Sequence, residues 1–174
     1  KIRVIMKWDY EFDVVVVGSG NGALTSALCS HDGGAKTLVI EKSDQYGGTS
    51  ATSGGGVWIP NNRYAKAENV DDSDQDARDY INSVSPEGKI KDELIETYIS
   101  EGPKMIDYLH ENSQVKYRNL AHYPDYFPDN PGGKEGNRSM EPEPINGTQL
   151  GNDLGKLREQ HPQTAFTMGP INMN

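Results

Sequence analysis

The 174-residue sequence has a single cysteine, Cys29, and so cannot close an internal disulfide. A reduced, cytoplasmic setting suits it better than a disulfide-stapled secreted fold. Long apolar runs are also missing. The longest, Val14 to Val17, is four residues, against the roughly 20 that span a bilayer. Trp8, Asp9 and Glu11 follow the first short run, so no secretory core is expected. Basic residues are scarce: 17 Lys and Arg face 26 Asp and Glu, a net charge of −9. That is the wrong sign for a nucleic-acid binder. His31, His110, His122 and His161 share no ligand spacing and have no cysteine companions, so no metal site is expected. Glycine, by contrast, is plentiful. With 34% hydrophobic residues, the 19 glycines bring the apolar share to about 45%, the lower edge of the globular range.

Residues 10–117 carry readable periodicity. Phe12 to Val17 is a β-branched run stopped by glycine, which predicts a strand buried on both faces, as in a parallel sheet. Asn21 to Ser30 predicts a helix with Ala23, Leu24, Ala27 and Leu28 on one stripe, and Lys36 to Glu41 a second strand. The three form a βαβ unit with a right-handed crossover. Asp71 to Asp74 resembles a fragment of a Ca²⁺ loop but lacks its glycine and distal glutamate, so a helix capped by Ser73 is the simpler reading. That helix would bury Ala77, Tyr80, Ile81 and Val84. A further helix is expected over Ile90 to Glu101, closed by Gly102 in the left-handed region. Another would open on Pro103 and run to about Asn112, followed by a short strand near Val115 to Tyr117.

The first strand ends in Gly18-Ser19-Gly20-Asn21-Gly22-Ala23, which matches G-x-G-x-x-G/A. Gly18 permits the tight turn, Gly20 lets the main chain approach a diphosphate, and Ala23 lets the helix lie close on the strand. The anion then meets unsatisfied amides and the positive end of the helix dipole. Glu41 closes the second strand 23 residues after Gly18, placed to accept ribose hydroxyls and to repel a 2′-phosphate. Together these predict a dinucleotide site. The next segment selects among dinucleotides. Lys42 leads into Gly47, Gly48, Thr49 and Ser50, then Ser53, Gly54, Gly55 and Gly56, with no apolar period before Val57-Trp58-Ile59-Pro60. Main chain largely stripped of side chains, with hydroxyls between, suits close wrapping of a flat phosphate-bearing ligand. FAD is expected rather than a nicotinamide cofactor.

On these motifs the sequence resembles the flavoprotein dehydrogenases and reductases related to the succinate dehydrogenase and fumarate reductase flavoprotein. Within them it is most similar to the 3-ketosteroid Δ1-dehydrogenases. The likeness rests on Asp13 to Gly20, Glu41-Lys42 with Tyr46-Gly47-Gly48-Thr49, and Ser53 to Asn62. It continues through Tyr123-Pro124-Asp125-Tyr126-Phe127, Pro131 to Lys134 and Gly136 to Ser139. The resemblance implies an α/β, Rossmann-like FAD-binding domain over 8–117 and the beginning of an α+β substrate domain over 118–174. It implies that FAD takes a hydride from C1 of a 3-ketosteroid while a tyrosine base removes the C2 proton. Tyr126 matches the tyrosine that assists that base, which itself would lie beyond Asn174. Tyr123 and Phe127 would line either an apolar substrate wall or the core. An electron acceptor of unknown identity completes the turnover. Two other readings are a fumarate-reductase-like enzyme with another substrate and a catalytically inactive FAD-binding remnant.

Residues 118–174 hold seven of the ten prolines, and past Leu120 only Leu154 to Gln160 shows any periodic pattern. So long a structureless stretch predicts a truncated chain whose last third packs on segments not included.

Overall fold

The computed structural model describes residues 8–160. Two compact units divide them: one joins the residues up to Thr52 with those from Thr148 onward, and the other runs from Ser53 to Gly147. Near residue 117 the chain forms a strand, Tyr117–Asn119, whose three residues all pair with a later strand.

In the first unit, β1 (Val14–Val17) lies parallel to β2 (Thr37–Ile40) with Val14 opposite Thr37 and Val17 opposite Ile40. The crossover is α1 (Asn21–Asp32). This is the expected βαβ unit. Its apolar side chains are not sealed: Val15 is 51% exposed and Val17 78%, and Leu24 and Ile40 are also exposed. A one-turn helix, α2 (Gly48–Thr52), interrupts the glycine-rich segment that has no helical period in sequence. The chain returns to this unit through 3₁₀ turns that end at Lys156 and are kinked at Gly151. Tyr46 then bridges Leu157 in parallel: Tyr46 N–H donates to Lys156 O and Arg158 N–H to Tyr46 O, each at 2.9 Å.

The second unit holds β3 (Val57–Trp58), α3 (Arg63–Ala67), α4 (Asp74–Val84), α5 (Asp92–Asn112), β4 (Tyr117–Asn119) and β5 (Ser139–Pro142). Its antiparallel sheet has the order β3-β5-β4. Two apolar clusters seal it. Ile59, Ile106 and Met140 form one, and Ala77, Ile95 and Ile99 the other. Ser73 caps α4, its hydroxyl accepting Asp76 N–H at 3.0 Å, as its position predicts.

Two elements differ from the expectation. α5 is one continuous helix through Gly102 and Pro103 rather than two. Pro103 deletes a helix hydrogen bond, but residues on either side of it, Ile99 and Ile106, are buried in separate clusters and hold the helix together. Gly102 does not adopt a left-handed cap. A Cβ there would stand 3.3 Å from Ile59 Cδ1, so the small residue lets β3 and α5 approach. Likewise β5 and the 3₁₀ turns lie where little periodicity is visible. In β5 the register sets Arg118 opposite Glu141, and an ion pair from Arg118 carries that buried carboxylate. A polar residue at a core position is what hides the strand in the sequence.

Candidate functional site

The first unit contains a cleft of about 610 Å³. β1 reaches its rim, where Gly18 N–H donates to Ile40 O at 2.7 Å, so the turn begins while the strands are still joined. Gly18 stands at φ +102°, a region that side chains rarely adopt. Gly20, the N-cap of α1, has no side chain to cap it. Ser50 does so instead, its Oγ accepting Asn21 N–H at 3.0 Å. A Cβ on Gly20 would stand 3.3 Å from that hydroxyl. The other first-turn amides have no partner within the helix and carry its positive end.

Ser19 is buried, and its side chain is engaged within the protein. Its Oγ accepts Gly47 N–H at 2.9 Å and donates to Glu41 Oε2 at 2.5 Å, tying the turn, the end of β2 and the following loop together. Ser43 N–H donates to Glu41 Oε1 at 3.1 Å. The Ser19 hydroxyl first, and the Ser43 amide after it, hold the Glu41 carboxyl below the ordinary carboxylate range. It is therefore ionised at neutral pH, and its remaining lone pairs can accept sugar hydroxyls.

Of the predicted contacts, Gly18, Ser19 and Gly20 from the turn, Glu41 and Lys42 after β2, and Gly48, Thr49 and Ser50 from α2 line this cleft. Asn21, Gly22 and Ala23 form the first turn of α1 and do not line the cleft. Gly47 lies inside the fold: a Cβ there would come within 2.7 Å of Ala51 Cβ. Ser53, Gly54, Gly55 and Gly56 belong to the second unit. There Ser53 Oγ accepts Gly55 N–H, and a Cβ on Gly55 would come within 2.9 Å of Pro142 Cγ. Arg158 also lines the cleft, a contribution from a distant segment that no motif announces.

The second unit has its own groove, about 280 Å³, whose walls are largely apolar: Trp58, Tyr80, Ile81, Val84, Tyr123 and Pro124. Tyr126 stands at its edge with 82% of its surface exposed. Tyr123 lines the groove, and the neighbouring Tyr126 phenol raises its pKa. Phe127 is exposed and lies outside the groove wall. Between the tyrosines, Asp125 turns inward. Its carboxylate accepts from Trp58 Nε1 (2.6 Å), Lys134 N–H (3.0 Å) and Arg138 Nη1 (2.9 Å). Arg138 is fully buried and also pairs with Asp72 at 2.6 Å, its guanidinium lying over the Trp58 and Tyr80 rings. The Tyr123–Tyr126 turn is thus fastened from inside by a charge network. The sequence signal was only partial: Asp125 and Trp58 sit within quoted motifs, but nothing local pairs Arg138 with Asp72, 66 positions away. Among the described residues no group of acids, histidines or cysteines could hold a metal ion. His110 serves structure, with Tyr64 Oη 2.8 Å from its Nδ1, and His161 lies outside the described residues.

A glycine turn on a parallel βαβ unit, facing an ionised strand-end glutamate, defines a dinucleotide-binding protein. The chain belongs to the FAD binding domain family, which matches residues 13–172. It is 40% identical over 163 residues to a 3-oxosteroid 1-dehydrogenase of Mycobacterium tuberculosis, covering 94% of this chain and 28% of that protein. It is 38% identical over 157 residues to the 4-oxocyclohexanecarboxylate 2-dehydrogenase of Sinomonas cyclohexanicum, covering 90% and 27%. A crystal structure of 3-ketosteroid delta1-dehydrogenase from Sterolibacterium denitrificans, in complex with 1,4-androstadiene-3,17-dione, superposes with a TM-score of 0.81 at 41% identity. That match covers 86% of this chain and 26% of the other. The chain therefore spans little more than a quarter of the length of these relatives. It shares their α/β flavoprotein fold, and FAD is the cofactor of its family. The residues present fit that group: the turn is bare at Gly18 and Gly20, and Arg158 Nε is buried in the cleft wall without a hydrogen-bond partner.

Proposed function

We propose that the protein to which these residues belong is an FAD-dependent oxidoreductase that introduces a C1–C2 double bond into 3-ketosteroids. The observation that carries the reading is Tyr126, an exposed phenol at the edge of an apolar groove and anchored through its neighbour Asp125 to buried Arg138. A rigid hydrocarbon skeleton needs such walls, and its ketone and C2 proton need hydroxyl groups. The relatives' names support the same substrate class.

Bound FAD supplies the two-electron acceptor for the C1 hydride. Main chain at Gly18 and Gly20 would receive the diphosphate, and Glu41 would accept from the ribose. Tyr126 acts on the proton side. A phenol near its ordinary pKa of about 10 is a poor base at neutral pH. By donating a hydrogen bond to a second tyrosine, outside residues 1–174, Tyr126 stabilises that tyrosinate as it takes the C2 proton. Turnover would also require an external electron acceptor. The reading includes a cytoplasmic location, supported by the lone cysteine. Among the described residues the groove wall carries no arginine or histidine, which favours a neutral ketone over the dicarboxylate of fumarate-reductase-like enzymes.

Dye-coupled dehydrogenation by the product of the whole reading frame tests this, with 4-androstene-3,17-dione and 4-oxocyclohexanecarboxylate as substrates. Steroid turnover that falls at least about a hundredfold in Tyr126→Phe, the lower range of proton-transfer effects, supports the proposal. Turnover of the small cyclic acid alone overturns the steroid assignment. Residues 1–174 by themselves should give little or no turnover; robust activity from them would refute the placement of the base.

A further inference from the structure

Arg158 differs from the other described arginines. Arg63, Arg78, Arg118 and Arg138 each hold at least one carboxylate. Arg158 has none within 4.0 Å among the described residues; its Nη2 makes one long contact, 3.4 Å, to Ser43 Oγ, and its buried Nε has no partner. The backbone at this position is firmly placed, since Arg158 N–H donates to Tyr46 O and Leu157 bridges Tyr46. The side chain is therefore delivered to the cleft wall beside Gly18–Gly20, Glu41 and Lys42 by a hydrogen-bonded bridge to Tyr46 rather than by a free tail.

A guanidinium donor held away from water is costly unless it meets an acceptor. The carboxylate lining the cleft, Glu41, is already engaged by Ser19 and Ser43. What the cleft has in surplus is donors: main-chain amides of the glycine turn, Lys42 and the Arg158 fork. Planar, bidentate donors of this kind match phosphate oxygens. We propose that Arg158 is a nucleotide-binding residue that grips the diphosphate of the dinucleotide, adding a cationic contact to the main-chain cradle. The inference rests on the FAD reading above for the whole ligand but is tested on its phosphates alone. A 2′-phosphate offers the same chemistry, but the Glu41 carboxylate in the same cleft would repel it.

Calorimetric titration of the full 174-residue chain with FAD, ADP, adenosine and 2′,5′-ADP is the test, on the natural sequence and on Arg158→Gln and Arg158→Lys. In the natural sequence, ADP should bind more tightly than adenosine. Arg158→Gln should weaken ADP and FAD by about tenfold or more, the scale of one charge-assisted hydrogen bond, and leave adenosine unchanged. Arg158→Lys, which keeps the charge and loses the fork, should recover part of the loss. The steepness of ADP affinity against salt should fall in the Gln variant. Equal losses for ADP and adenosine, or no loss, would overturn the assignment, as would natural-sequence protein that binds none of the four. A larger loss for 2′,5′-ADP than for ADP would overturn the diphosphate in favour of the 2′-phosphate. Retained ADP binding that depends on Arg158, without any binding of FAD, would leave the inference standing and remove the flavin reading.

Discussion

The two compact units solve different problems with different means. The first has the chemically legible motif and almost no sealed interior: its valines at 15 and 17 face outward, and its described residues include no fully buried large hydrophobe. The second has two apolar clusters and a buried Arg138 between two aspartates. A dinucleotide cradle is assembled from main chain and a few short hydrogen bonds. A loop that presents a side chain such as Tyr126 must instead be fastened from within.

The sharpest way to break this contrast is Arg138→Met. It leaves Asp72 and Asp125, both nearly fully buried, without their shared cation. Removing one partner of a buried pair costs about 3–5 kcal/mol, which denaturant unfolding followed by Trp58 fluorescence would read. A loss below about 1 kcal/mol would mean that the network does not fasten the Tyr123–Tyr126 turn. Next comes packing. Ile106→Ala, at a fully buried position, should cost about 2–5 kcal/mol. Val17→Thr in the first unit should stay within about 0.5 kcal/mol, as expected of an exposed site. Equal costs would erase the difference between the units.

The smallest expected effect is electrostatic and belongs to the first unit. Glu41 has its pKa lowered, so its bonds to Ser19 and Ser43 contribute fully above the ordinary value of 4.5 and are lost as pH falls through the lower, folded value. An NMR titration of the Ser43 amide, which donates to Glu41 Oε1, should therefore be flat from pH 7 to 5, with its midpoint below 4.5. A midpoint at or above that value would show that Ser19 does not hold the carboxylate.

How much could be read in advance follows the same division. The strands at 14–17 and 37–40, the helix between them and the Ser73 cap were visible because neighbouring residues carry their periodicity or their cap. Glu41 was visible because the motif places an acid at that spacing. The motif makes Ser19 a cofactor contact and it does line the cleft; that its buried side chain also holds Glu41 and Gly47 in place is visible only in three dimensions. Gly102-Pro103 looked like a break and is not one, because packing on either side outweighs one missing hydrogen bond. β5 was hidden by Glu141, whose burial makes sense only once Arg118 is opposite.

From sequence alone, then, come the βαβ unit, its bare turn, its facing acid and the flavoprotein class, since each depends on residues within a few turns of one another. Tertiary structure decided where Arg138, Asp125 and Arg158 stand. A buried charge has no periodicity to betray it, and its meaning is set by partners that the chain brings together across tens of residues.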